Sequence, residues 1–258
     1  MFTLKESVTG AVQILIDTLM CKEPEGEKTG FSEFDNLMRG MRRGSLIVLV
    51  SRPAQGKTSF ALNIANRMIT RIPSRPVLYC SALCNTELAF RLLSIASGED
   101  CSYDIDHGAD GIKRLTATVN EIADRPLYFM DSRAMDETLF REVAEGQAET
   151  HFGLVIFDPV RAEHLPRLKK LAQELEVPIL ALMSVKKRDL HIKELDAADA
   201  VITLHRYRGA EKSATGTAIA DISVIRNRHG MCGTCRMYFT PHSMCFREEI
   251  EEIRTEEA

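Results

Sequence analysis

The chain has 258 residues, 45% of them hydrophobic and 27% charged, with a formal net charge of −4. This length can bury one good core, and the mildly negative balance excludes a general electrostatic affinity for nucleic acid. No apolar run approaches the ~18 residues of a membrane span, the N-terminus lacks the basic-then-apolar layout of a leader, and the seven cysteines have no framework spacing, so a cytoplasmic protein with reduced thiols and no membrane partner is expected.

Leu4, Val8, Val12, Leu15, Ile16 and Leu19 recur at helical spacing. The polar stretch CKEPEGEK (21–28) then breaks the pattern. A helix within 1–22 ahead of a linker is not needed to close an α/β core. It either packs back on its own domain or docks on a neighbouring subunit, since both leave the same apolar spacing. Phe31, Phe34, Leu37 and Met38 predict a short helix ending at Gly40.

Ser45–Val50 reads as a buried strand, followed by a tight loop and a helix opening at Thr58. Gly56-Lys57-Thr58 at the end of that loop is the core of a phosphate-binding P-loop, with Ser51 at the usual first glycine. The chemistry needs these residues in this order. The backbone of Arg52, Pro53, Ala54, Gln55, Gly56, Lys57, Thr58 and Ser59 would cradle phosphate oxygens at a helix N-terminus. Lys57 would reach the β/γ-phosphates and Thr58 would ligate Mg²⁺. The expected ligand is a nucleoside triphosphate, ATP with Mg²⁺.

Further along, strands are predicted at 77–81, 127–130, 154–157, 177–183 and 200–204, and helices at 85–97, 111–124, 136–150 and 165–176. In the helix over 111–124, Ile112, Leu115, Val119 and Ile122 share one face. Strands at 219–226, 234–239 and 244–246 close the chain. Alternating strands and helices predict a mostly parallel sheet flanked by helices, with an antiparallel β edge at the C-terminal end. Asp158, directly after the apolar run Leu154–Phe157, is the candidate strand-tip carboxylate for the Mg²⁺ water shell.

The segment TGFSEFDNLMRGMRRGSLIVLVSRPAQGKTSFALNIA resembles the opening of the C-terminal motor domain of DnaB-type replicative helicases. The resemblance continues through LYFMDSRAMDE, FGLVIFDP, KKLAQELEVPILALMS, DAADAVITLHR and VIRNRHGMCGT, over about residues 28–247. It implies a RecA-like P-loop NTPase domain over 28–247, a linker-like helix over 1–22, an acidic tail over 248–258 and no separate N-terminal domain. It implies assembly as a homo-oligomer such as a hexamer, or with a related helicase subunit. By resemblance Lys57 and Thr58 are the phosphate and Mg²⁺ ligands and Asp158 the Walker B aspartate. Arg226 and Arg228 fall on the basic pair that reaches into the neighbour's site, Arg228 as an arginine finger.

Three departures bear on catalysis. The family's glutamate at the end of the second strand aligns with Ala82, and the nearest acid is Glu87 in the first turn of the next helix. The glutamine thought to sense the γ-phosphate aligns with Ser184. The loops that grip single-stranded DNA are cut back, with Lys186-Lys187-Arg188 as a basic remnant and no aromatic platform nearby. The expectation is a DnaB-helicase-like ATP-binding protein of replication or recombination with a depleted catalytic site. The alternative is a nucleotide-binding scaffold or regulator of a helicase with little or no hydrolysis. Cys232, Cys235, His242 and Cys245 hold potential zinc ligands in a compact run, but strand alternation opposes their convergence.

Overall fold

The computed structural model describes residues 26–101, 108–185, 195–207 and 217–248. The helix expected within 1–22, Lys186-Lys187-Arg188 and the tail from 249 lie outside the described residues. In chain order the elements are α1 (Ser32–Met38), β1 (Leu46–Ser51), α2 (Lys57–Arg71), β2 (Val77–Ser81), α3 (Asn85–Ser97), α4 (Gly108–Ile122), β3 (Leu127–Asp131), α5 (Glu137–Thr150), β4 (Leu154–Val160), α6 (Leu165–Leu175), β5 (Ile179–Ser184), β6 (Ala200–Arg206), β7 (Ala218–Asn227), β8 (Gly233–Thr240) and β9 (Cys245–Glu248).

They form one 9-stranded sheet in the order β3-β2-β4-β5-β1-β6-β7-β8-β9. Strands β3 to β6 are parallel neighbours, and β6 to β9 form an antiparallel meander. This is the mostly parallel α/β architecture with a β edge that the alternating pattern predicts.

The central strands read as unbroken apolar runs because helices cover both faces. Along β1, Ile47 and Leu49 face the core shared with Phe60 of α2, while Leu46, Val48 and Val50 face the one shared with Leu168 of α6. The same alternation sets the site. Phe157 packs on the α6 side, so Asp158, the next residue, turns to the α2 side with Ile156 and Tyr79.

Helix ends follow local chemistry. Asp136 caps α5 by accepting from the backbone N–H groups of Thr138 (3.0 Å) and Leu139 (3.1 Å). Gly98, at φ +75°, ends α3 in the left-handed conformation that favours glycine.

One expectation needs correction and another is refined. The apolar stripe of α4 straddles the edge of its packed side, with Leu115 and Ile122 half-buried. Ile112 and Val119 are 56% and 40% exposed, whereas Gly111 and Thr118 are buried. Glu248, assigned from sequence to the acidic tail, is the buried last residue of β9. Its carboxylate accepts from the N–H groups of Ser32 (2.8 Å) and Glu33 (2.7 Å), capping α1 where the helix dipole favours a negative charge.

Candidate functional site

The loop from β1 to α2 is held by contacts that its sequence pattern only partly announces. Gly56 takes φ +101°, and a Cβ there would stand 3.3 Å from Phe246 Cζ, so both backbone and space call for glycine. Gln55 is buried, and its Oε1 accepts from the Arg206 N–H at 2.7 Å, tying the loop to the end of β6. Ser51 fills the place of the usual glycine by chemistry of its own. Its hydroxyl donates to Arg52 O (2.8 Å) and accepts from Lys57 Nζ (3.2 Å). Lys57 also donates to Arg52 O at 3.4 Å, so the ammonium is folded over its own loop.

Asp158 meets this loop from β4. Thr58 Oγ1 donates to Asp158 Oδ2 at 2.6 Å, and the Tyr79 hydroxyl donates to the same oxygen at 3.1 Å. Burial pushes the Asp158 carboxyl above its usual range, against those hydrogen bonds and the nearby charges of Lys57 and Arg91. Burial likewise pulls the Lys57 ammonium down, with Asp158 acting the other way. A desolvated carboxylate beside a hydroxyl is an all-oxygen donor set that suits a hard cation such as Mg²⁺. The residues present therefore fit the ion expected from the sequence.

The cleft over the loop has a volume of about 310 Å³ and is lined by Ala54, Gly56, Lys57, Thr58, Ser59, Arg91, Arg206 and Phe239. Arg91, Arg206 and Phe239 escape the sequence reading. Arg206 lies over the Phe239 ring, Cζ 4.7 Å from the centroid, and donates to Ala54 O at 2.9 Å. Arg206 and Phe239 come from β6 and β8 and Arg91 from α3, all distant in sequence from the loop, and no local motif marks them. A larger cleft of about 610 Å³ shares Arg91 but is mainly apolar, with Phe90, Cys101 and Met244 on its walls. It lacks the P-loop residues that would bind phosphate.

Ala82, the position that aligns with the family's glutamate, lies beside Asp158. In the β2–β4 register Ser81 stands opposite Asp158, and the Ala82 N–H donates to Asp158 O at 3.0 Å. Ala82 thus occupies the strand-tip position next to Asp158 with only a methyl group. Glu87 does not replace a carboxylate there, because its side chain pairs with Arg91 at 2.6 Å within α3. Ser184 ends β5 beside Ser51 in register.

Arg226 and Arg228 lie at the far end of the sheet from the P-loop. Arg228 Nη1 stands 3.3 Å from Asp199 Oδ1, and its Nη2 donates to Asp196 O at 3.1 Å. Arg226 donates to Leu195 O and to Ala198 O (3.1 Å) and pairs with Asp196 at 3.3 Å. In one subunit, then, neither arginine reaches the cleft of its own P-loop. Cys235 and Cys245 are buried, donating to Ile222 O (3.6 Å) and Ile95 O (3.4 Å), whereas Cys232 is exposed. Their strands point these thiols at different neighbours.

Comparison with known proteins agrees with this architecture. The chain is 28% identical to the replicative DNA helicase DnaB of Leifsonia xyli subsp. xyli (strain CTCB07), over 90% of this chain and 59% of that protein. It is 27% identical to the replicative DNA helicase DnaB of Geobacillus stearothermophilus, over 84% of this chain and 55% of that protein. The chain thus spans little more than half the length of these relatives. Among solved structures it superposes on the ATPase domain of G40P with a TM-score of 0.80 at 20% identity, covering 93% of this chain and 98% of that one. A DnaB-like replicative helicase, solved in a study of its interactions with primase, matches with a TM-score of 0.79 at 20% identity, covering 95% of this chain and 67% of that one. Both share the RecA-like fold. The family model of the DnaB-like helicase C terminal domain matches residues 26–248, and the chain belongs to that family.

Proposed function

We propose that this chain is a DnaB-helicase-like ATP-binding protein of DNA replication or recombination whose catalytic site is depleted. ATP would lie in the cleft over Gly56–Ser59, with the helix N-terminus and Lys57 on the phosphates. Thr58 and Asp158 would hold the Mg²⁺, which when bound neutralises charge on the β- and γ-phosphates. Arg206 stacked on Phe239 forms a flat cationic platform at the edge of the same cleft, suited to the base. Arg228 would complete a neighbouring copy's site after leaving Asp199, so hydrolysis would require assembly. The part-exposed stripe of α4 and the amphipathic pattern of residues 4–20 support assembly as a homo-oligomer or with a related helicase subunit.

The observation that carries the reading is Ala82 beside Asp158. The site keeps what holds a nucleotide and lacks the carboxylate that would orient or deprotonate the attacking water, a role typically contributing about 10²–10⁴-fold. Slow turnover follows. The second reading, a scaffold or helicase regulator with no hydrolysis, rests on the same absence and on Ser184 beside Ser51.

The test is ATP binding and ATP turnover, with and without single-stranded DNA, for the wild type and Lys57→Ala. Mg²⁺-dependent binding lost in Lys57→Ala, with slow turnover, is expected. Fast DNA-stimulated turnover would make the chain a working motor instead, and lack of binding would remove both readings.

A further inference from the structure

We propose that Tyr79 is a positioning residue: its hydroxyl fixes the Asp158 carboxylate for the Mg²⁺ that accompanies the nucleotide. The proposal rests on Asp158 serving that ion, as argued above.

Tyr79 sits in the middle of β2, opposite Ile156 of β4 and fully buried. Asp158 lies two residues further up β4, on the same face as Ile156. Two residues of strand rise about 6.6 Å, close to the reach of a phenol side chain. The ring therefore lies along the core while its hydroxyl arrives at Asp158 Oδ2, 3.1 Å away. A buried tyrosine hydroxyl needs a partner, and many core positions could supply a backbone carbonyl. Here the partner is the Asp158 carboxylate, beside the P-loop.

The two donors on Oδ2 differ in kind. Thr58 belongs to the P-loop helix, and its oxygen is itself expected to face the cation. Tyr79 is anchored in the sheet and has no such second duty. Both donors end on Oδ2, which would leave Oδ1 for the water shell of the ion. Outer hydrogen bonds of this kind to a metal-serving carboxylate are typically worth about 10–100-fold in metal affinity.

The experiment titrates a fluorescent ATP analogue into the full chain, in excess Mg²⁺ and in EDTA, for the wild type, Tyr79→Phe and Asp158→Asn. Tyr79→Phe keeps the ring and removes only the hydroxyl. It is expected to weaken binding about tenfold in Mg²⁺ and to leave binding in EDTA unchanged. Asp158→Asn should abolish the Mg²⁺-dependent gain. If Asp158→Asn loses that gain and Tyr79→Phe keeps it, the role given to Tyr79 is wrong while the reading of Asp158 stands. If Asp158→Asn keeps the gain, the reading of Asp158 falls and the proposal with it. An equal loss with and without Mg²⁺, or a Tyr79→Phe chain that does not fold, assigns the hydroxyl to core packing and overturns the proposal.

Discussion

Arg228 and Asp199 form an ion pair at 3.3 Å in which the two sides are unequally committed: the aspartate side chain is 6% exposed and the arginine 53%. Asp199 also receives Lys169 Nζ at 2.7 Å and the Leu46 N–H at 2.8 Å, so it clamps α6 to the start of the P-loop strand. Removing its carboxylate would leave Lys169, 20% exposed, without its counter-charge and with only Gly44 O (2.9 Å) to accept from it. Asp199→Ala is therefore expected to cost about 3–5 kcal/mol of stability. Arg228→Ala removes only the exposed arm and should cost less than about 1 kcal/mol. Urea unfolding of both variants checks this. Equal losses would make Arg228 a structural residue and argue against its release toward a neighbouring site.

Ala82 offers a gain-of-function test. Its N–H is bonded to Asp158 O, so a side chain grown from this position starts beside the proposed Mg²⁺ carboxylate. Ala82 is also exposed, so a longer side chain meets no packed core. Ala82→Glu is expected to raise single-turnover ATP hydrolysis by about 100-fold, the low end of what a proton-transfer group contributes. No gain, with nucleotide binding intact, would place the defect also at Ser184 or in assembly.

Much of the architecture is legible because the strands are bounded by turn residues and the central ones are unbroken apolar runs. The strand at 77–81 and the helix at 85–97 with its Gly98 end follow from such signals alone. The P-loop and Asp158 are legible because each sits at a strand end within a few residues of its signal. What sequence hides are groups that meet only in the fold. Arg206 reaches Ala54 across the chain, Tyr79 reads as an ordinary core aromatic, and Glu248 reads as the start of an acidic tail. Nor does the period of α4 say which side packs: the helix turns Gly111 and Thr118 inward, with Leu115 and Ile122 half-buried beside them, and leaves Ile112 and Val119 outward.

Glu248 should behave as a cap, not as tail. Two short backbone N–H bonds, from Ser32 and Glu33, end on a carboxylate that is 2% exposed. Charge-assisted bonds to buried groups are worth about 1.5–3 kcal/mol each. Glu248→Ala is expected to destabilise the fold by at least about 2 kcal/mol on that scale, measured by chemical unfolding.

The Arg206–Phe239 platform predicts a base-specific loss. Arg206 lies over the ring at 4.7 Å from Cζ to centroid, and Phe239 is itself part of the core. A stacked cation of this sort contributes about 1 kcal/mol, or roughly fivefold in affinity. Arg206→Ala should weaken ATP binding by about that factor while leaving inorganic tripolyphosphate unaffected. Competition of each ligand against a fluorescent ATP analogue separates the two. Equal loss for both would move Arg206 from the base to the phosphates.

Asp158 carries a prediction with a definite sign. Burial raises its folded-state value, so the native chain holds a proton there more readily than the unfolded chain. Ionising it therefore opposes folding. That opposition is absent below the unfolded value, about pH 4, and is complete once pH has risen through the folded one. Asn at this position removes the charge and keeps a carbonyl to accept from Thr58 and Tyr79. Lys57 loses an opposite charge in the variant, but burial is the larger influence on both groups. Without nucleotide, Asp158→Asn should melt above the wild type near pH 7, and the difference should close toward about pH 4. Adding Mg²⁺ and ATP should then raise the melting temperature of the wild type more than that of the variant, because a ligand stabilises only the state that binds it. A variant that melts lower at neutral pH would mean that Asp158 serves the fold as well as the ion.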